Sequence, residues 1–179
     1  MTDAKPAQNH FAYKVGDIEV IAVADGTRTA PVGEGFVLNA PVEAVHKALA
    51  DYGMPNGNFT TVFTPTVIRT AGKTCLVDTG MGLAAAQQPG ATFGFLIPNL
   101  AAIGIEPKDI DTVIISHFHG DHVNGLLAPD GSPAFPNAEV TVPENEWAFW
   151  MDDGEMARAS PGRMQDLFKN NRRVFTPIK

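Results

Sequence analysis

Three of the five histidines in the chain lie within six residues, directly after a short apolar run. The run is Val113-Ile114-Ile115, and the polar segment is His117-Phe118-His119-Gly120-Asp121-His122. A continuous apolar run is typical of a strand buried in a sheet, and the loop after such a strand projects side chains from a rigid base. This arrangement constrains the fold strongly, because it requires a sheet that presents four polar side chains at the end of one strand.

The chemistry of this segment predicts a metal site. His117 and His119 alternate in an extended segment, so both imidazoles can point to the same side. The turn at Gly120 lets Asp121 and His122 approach from another direction. Imidazole and carboxylate ligands suit Zn²⁺, Mn²⁺, Co²⁺ or Fe²⁺ rather than Ca²⁺. A lone histidine usually only forms hydrogen bonds, but three histidines and an aspartate within six residues indicate a metal site.

Strands come first along the chain and then alternate with helices, which is typical of an α/β layered domain. A loose arm over residues 1–9 is expected to precede one domain over residues 10–179. The segment 80–90 is predicted to be a loop or a short helix. The predicted strands cover residues 11–14, 18–24, 60–70, 74–77, 111–115 and 139–142. The predicted helices cover residues 41–52, 95–103, 144–151 and 162–170.

Composition excludes several classes of function. The chain has 13 Lys and Arg against 20 Asp and Glu, and this acidic balance argues against binding to nucleic acid or to an anionic membrane. No window approaches the roughly 18 apolar residues that span a bilayer. The N-terminus lacks the apolar segment of a signal peptide, so a cytoplasmic protein is expected. A single cysteine, Cys75, excludes an intrachain disulfide framework.

The segment from His117 to His122 resembles the signature His-x-His-x-Asp-His of the metallo-β-lactamase superfamily. A second element of that family stands upstream as Val77-Asp78-Thr79-Gly80. The resemblance implies an α/β fold, the αβ/βα sandwich of this superfamily. It also implies that His117 and His119 bind one metal ion, that Asp121 and His122 bind a second, and that Asp78 supports the ligand loop.

Two downstream segments, 135–140 and 144–150, are similar to the methyl parathion hydrolase and lactonase-like branch. This likeness implies a homodimeric hydrolase that uses a hydroxide bridging two divalent metal ions, Zn²⁺ or alternatively Mn²⁺, Co²⁺ or Fe²⁺. Its substrates would be esters, lactones or organophosphate triesters, and Asp121 is a candidate proton acceptor. In that branch the position of Trp150 contributes to an aromatic substrate pocket, with packing in the core as the equal alternative.

The family pattern also needs a third histidine, a bridging aspartate and a last histidine, yet residues 123–179 contain no histidine. We therefore expect only the N-terminal half of the sandwich here. The favoured interpretation is a fragment of a longer protein. Alternatively, a partner chain supplies the complementing C-terminal half, or the chain is a non-catalytic metal-binding module. A mononuclear iron sulfur-dioxygenase of the same superfamily is a further alternative function.

Overall fold

The computed structural model describes residues 9–54 and 57–178, so residues 1–8 of the predicted arm lie outside the described part. Two compact units share the chain. The first contains residues 1–26 and 63–179, and the second contains residues 27–62. Within the described ranges, no helix has the length and apolar character needed to cross a membrane.

The elements follow the predicted α/β order. The strands are β1 (His10–Val15), β2 (Ile18–Val23), β3 (Gly26–Pro31), β4 (Asn58–Phe63), β5 (Thr66–Thr70), β6 (Lys73–Val77), β7 (Thr112–Ile114) and β8 (Glu139–Thr141). The α-helices are α1 (Val42–Asp51), α2 (Leu83–Ala86), α3 (Leu96–Ala102), α4 (Gly120–Val123), α5 (Glu144–Met151), α6 (Asp153–Arg158) and α7 (Arg163–Phe175).

A six-stranded sheet of order β1-β2-β5-β6-β7-β8 forms the centre of the first unit. Neighbouring strands are antiparallel from β1 to β6, and β6, β7 and β8 run parallel. Parallel strands end at the same edge of a sheet. The residues that follow β6 and those that follow β7 are therefore neighbours, although they are 38 positions apart in the pair Asp78 and Ser116.

One face of this sheet is buried in the main core. A single register row crosses five strands and is apolar throughout: Ile21, Val67, Leu76, Val113 and Val140. Residues of α3, α5 and α7 join the same core cluster, among them Leu100, Trp150 and Phe168. Burial of these apolar side chains is the main source of stability for the unit.

The opposite face of the sheet is apolar as well, but much of it is exposed to solvent. The exposed apolar side chains of this face come from three strands, β1, β2 and β7. They are Phe11, Tyr13 and Val15 of β1, Ile18 of β2 and Ile114 of β7. Their exposed fractions run from 38% to 62%. Large apolar side chains exposed together on one sheet face are uncommon on monomeric soluble proteins.

The second unit is built from a two-stranded sheet of β3 and β4 with the helix α1. Phe36 packs against Phe59, with ring centroids 5.6 Å apart. A ring nitrogen of His46 lies 2.7 Å from the Val32 carbonyl oxygen, so this histidine has a structural contact inside its own unit.

The structure differs from the sequence-based predictions at several places. The strand predicted over 60–70 is two strands, because the chain leaves β4 at Thr64-Pro65 and the Pro65 carbonyl accepts the Val23 N–H at 2.9 Å. Strand β3 and helix α6 were not predicted. The last helix continues past Asn170 to Phe175, since its apolar face buries further core side chains there.

Candidate metal centre

The candidate ligands follow β7 at the edge where the parallel strands end. The chain leaves the sheet through Ser116; His117 and Phe118 lie in no helix or strand, and His119 has extended dihedrals with φ −75° and ψ 152°. Helix α4 then begins at Gly120, which places Asp121 and His122 in its first turn. The short helix therefore turns the last two side chains back towards the first two.

The structure brings all four predicted ligands together as two pairs of donor atoms. His117 Nε2 lies 3.2 Å from His119 Nδ1, and His122 Nε2 lies 3.3 Å from Asp121 Oδ2. The two pairs are adjacent, because the ring centroids of His117 and His122 are 3.9 Å apart. Three of these four side chains are half-buried, and His119 is exposed.

These spacings suit metal ligands. Two ligands at about 2.0–2.1 Å from a tetrahedral Zn²⁺ lie about 3.3 Å from each other, which matches both pairs. The donor types also suit Zn²⁺ and similar ions. Within residues 9–54 and 57–178, however, no group of three or more His, Cys, Asp or Glu side chains has the geometry to hold an ion. Each pair therefore fits part of a metal's ligand shell.

Asp78 connects the two ends of the ligand segment, which runs from Ser116 to His122. It follows β6 with a φ of 60°, a left-handed conformation that Asp tolerates better than most residues. Its Oδ1 accepts the Ser116 N–H at 2.8 Å, and its Oδ2 accepts the Ser116 hydroxyl at 2.9 Å. The same Oδ2 lies 2.8 Å from His122 Nδ1. This contact occupies Nδ1, so Nε2, which faces Asp121, is the ring nitrogen that could bind a metal, as in histidine ligands with carboxylate partners.

Electrostatics at this cluster favour a cation. Hydrogen bonds with Asp121 and Asp78 raise the pKa of His122 to about 9. Burial, together with the neighbouring His122 and His119, lowers the pKa of His117. Burial alone would raise the pKa of Asp78, but hydrogen bonds from His122 and Ser116 keep it below the usual value. Two carboxylates that stabilise a proton on His122 would also stabilise a metal ion there.

Asp25 is a structural residue that the sequence analysis did not single out. It follows β2, is fully buried, and accepts the N–H groups of two loop residues, Met81 at 2.9 Å and Gly94 at 3.3 Å, and of the first residue of α3, Leu96, at 3.0 Å. Burial raises its pKa, and these three hydrogen bonds oppose the increase. In the sequence its only signal is an aspartate between an apolar strand and a glycine, which is also the signal of an ordinary turn.

Trp150 lies in the core rather than at an open surface. Its side chain is 6% exposed, and its ring centroid is 4.7 Å from that of Phe168. The indole N–H donates to Glu146 Oε2 at 3.0 Å. The same oxygen accepts the backbone N–H of Phe118, inside the ligand segment, at 2.8 Å. The pocket role of Trp150 stays a prediction.

The fold and the cluster together define an α/β domain that presents four candidate metal ligands after one strand. The model of the family described as Metallo-beta-lactamase superfamily matches residues 64–174. The chain therefore belongs to the metallo-β-lactamase superfamily, and the predicted family and fold class are confirmed.

Solved structures agree with this membership. One described as a hydrolase, AbOPH, in the beta lactamase superfamily has a TM-score of 0.83 at 27% identity, over 97% of this chain and 58% of its own. AidC, described as a dizinc quorum-quenching lactonase, has the same TM-score at 24% identity, over 95% of this chain and 58% of its own. A probable metal-dependent hydrolase from Staphylococcus aureus has a TM-score of 0.64 at 26% identity, over 78% and 51%.

The chain thus spans a little over half the length of the solved structures that it matches. It corresponds to part of their common fold, and its sheet with helices against one face agrees with the expected half of a sandwich. No protein in the curated set matches the sequence.

Proposed function

We propose that the chain carries the first ligand set of a dinuclear metal-dependent hydrolase that acts on esters, lactones or organophosphate triesters. The observation that carries this proposal is the pairing of donor atoms after β7. His117 with His119, and Asp121 with His122, form two adjacent pairs at separations typical of ligands on one metal ion. Two pairs suit two metal ions better than one.

The bound metals, Zn²⁺ or alternatively Mn²⁺, Co²⁺ or Fe²⁺, would supply Lewis-acid polarisation of the substrate and activation of water. The residues of the chain hold the ligands in place for this chemistry. Asp78 keeps His122 Nδ1 occupied, so that Nε2 is the atom presented to the metal. Ser116 Oγ lies 3.1 Å from His117 Nδ1, so in His117 too Nε2 is the ring nitrogen presented to the metal.

We further propose that a second segment, from a longer form of the chain or from a partner chain, covers the exposed apolar sheet face and completes both ligand shells. Two observations support it. The described residues offer each metal two donors, whereas structural and catalytic zinc sites use three or four protein ligands. The uncovered sheet face also carries large apolar side chains that a packed second layer would bury.

The substrate class follows the matched structures. AbOPH is described as a hydrolase, and AidC as a lactonase in complex with the product N-hexanoyl-L-homoserine. Small esters, lactones and phosphotriesters all place an electrophilic carbonyl or phosphoryl group next to a polarisable oxygen. The same pair of metal ions can therefore serve all three.

The test begins with the protein purified from its natural source. Native mass spectrometry would give the chain mass and bound metals, and turnover would be measured on an aryl ester, a lactone and a phosphotriester. We expect two metal ions and turnover of at least one substrate. His117→Ala should lose one ion and His122→Ala the other, while His10→Ala, outside the cluster, retains both.

Metal-loaded protein without turnover on any of these substrates would refute the hydrolase. Iron together with oxygen uptake on a persulfide would identify the sulfur-dioxygenase instead. Unchanged metal content in the His117 and His122 variants would refute the site itself.

A further inference from the structure

Glu146 lies on α5, outside the ligand segment, and its carboxylate connects this helix to the backbone between two candidate ligands. Glu146 Oε2 accepts the N–H of Phe118 at 2.8 Å, and Phe118 stands between His117 and His119. We propose that Glu146 is a positioning residue that fixes the direction of these two histidines. This inference rests on the proposed function, because it gives Glu146 its importance through the metal site.

Phe118 is held on two sides. Its side chain is fully buried and stacks on Phe175, with ring centroids 4.4 Å apart. Its N–H lies beyond β7, which ends at Ile114, and Glu146 supplies the acceptor. Neighbouring side chains in an extended segment point to opposite sides. Holding Phe118 inwards therefore directs the two flanking histidines outwards, to the same side.

The carboxylate of Glu146 is held in turn by Trp150. The two residues are four positions apart on α5, so their side chains lie on the same face of the helix. The indole N–H donates to the same Oε2 at 3.0 Å, and the indole ring packs against Phe168 in the core. A half-buried carboxylate with two donors on one oxygen has little rotational freedom, which suits it to hold a backbone N–H in a fixed place.

The experiment compares three variants of the full chain with the wild type. Glu146→Ala removes the acceptor, Glu146→Gln retains an acceptor oxygen, and Glu144→Ala is the matched control, an exposed glutamate on the same helix. Two quantities are measured: the hydrogen-exchange rate of the Phe118 amide by NMR, and the affinity for Co²⁺ from its visible absorption bands. A residue that only stabilises α5 would leave Co²⁺ affinity unchanged.

We expect Glu146→Ala to accelerate exchange of the Phe118 amide at least about tenfold, relative to amides of β6. Its Co²⁺ affinity should fall about tenfold, the lower end of losses seen when groups that orient ligands are removed. Glu146→Gln should restore both quantities to within about threefold, because the amide oxygen still accepts hydrogen bonds. Glu144→Ala should change neither.

Unchanged Phe118 exchange and unchanged Co²⁺ affinity in Glu146→Ala would overturn the inference. Should that variant not fold, Trp150→Phe replaces it, since the substitution keeps an aromatic ring and removes the N–H donor to Glu146. Faster Phe118 exchange supports the inference there, and an unchanged rate refutes it. Failure of the wild-type chain to bind Co²⁺ would refute the proposed pairing of metal ligands in this chain, whereas Phe118 exchange would still decide whether Glu146 holds the ligand segment.

Discussion

Replacing Asp25 by alanine should destabilise the first unit strongly, although Asp25 contacts none of the candidate ligands. Its carboxylate is the acceptor for the N–H groups of Met81, Gly94 and Leu96. A buried donor left without an acceptor costs about 1–3 kcal/mol, so three donors give about 3–9 kcal/mol. Removing the carboxylate also relieves the unfavourable burial of a charge. We therefore expect the free energy of unfolding to fall by about 3–5 kcal/mol.

Urea denaturation followed by tryptophan fluorescence measures this loss, because Trp147 and Trp150 both belong to the same unit as Asp25. With a slope of about 2 kcal/mol/M, the midpoint should fall by about 1.5–2.5 M urea. Asp17→Ala is the control, since this exposed aspartate lies in the turn between β1 and β2, and its effect should stay within about 0.5 kcal/mol. A loss below about 1 kcal/mol for Asp25→Ala would show that the three amides do not depend on the carboxylate.

Three further substitutions test the contacts around the ligand loop and Asp25. Gly125→Ala would place a Cβ 1.9 Å from the Thr79 carbonyl oxygen, so we expect the free energy of unfolding in urea to fall by about 2 kcal/mol. Gly33→Ala is the control, because a Cβ there meets no other atom, and it should change this free energy little. Thr79→Val removes the hydroxyl that donates to the His122 carbonyl at 2.7 Å, and it should lower the free energy of unfolding by about 1 kcal/mol in the same assay. An unchanged urea midpoint would show that this hydrogen bond does not stabilise the fold. Burial raises the pKa of the Asp25 carboxyl above its ordinary 3.8, so the folded state binds the carboxyl proton more tightly than the unfolded state. The contribution of Asp25 to the free energy of unfolding therefore falls as pH rises from the unfolded pKa to the folded pKa. The unfolding free energy of the wild type minus that of Asp25→Asn should therefore decrease from pH 4 upwards, and an increase would contradict the assignment.

The sequence predicts the sheet well where a strand is a continuous apolar run or where two strands flank a recognisable turn. The run Val113-Ile114-Ile115 locates β7, and the hairpin of β5 and β6 follows from two β-branched segments around Ala71-Gly72. Strand β3 was missed because Gly26–Pro31 carries threonine, arginine and proline, with no apolar alternation. Helix α6 has only six residues, and its cap is the Asp152 carboxylate, which accepts the Glu155 N–H at 2.7 Å. Such a local contact decides a short helix without leaving a periodic pattern.

The candidate ligands could be predicted because they are contiguous in the chain, whereas most of the groups that hold them could not. Ser116 and Glu146 hold the ligand segment through partners that are remote in sequence, and the distance from Phe118 to Glu146 is 28 positions. Asp25, which holds chain segments beside it, is 71 positions from Leu96. A carboxylate that accepts from a backbone amide places no requirement on the side chain of its partner. The partner residue therefore carries no sign of the contact, and only the fold brings the two together.

Three carboxylates surround the ligand loop or the loops beside it, and they share one mode of action. Asp78 and Glu146 bind the backbone of the ligand segment at Ser116 and Phe118, while Asp25 binds the loop after β6 and the start of α3. All three hold main-chain N–H groups, and because Asp78 and Glu146 hold those of the ligand segment, the directions of the histidines are set by the fold before a metal ion arrives. Ordering of these loops should then cost little when metal binds. The number of donors that the chain supplies, rather than the mobility of its loops, would limit its affinity for a metal ion.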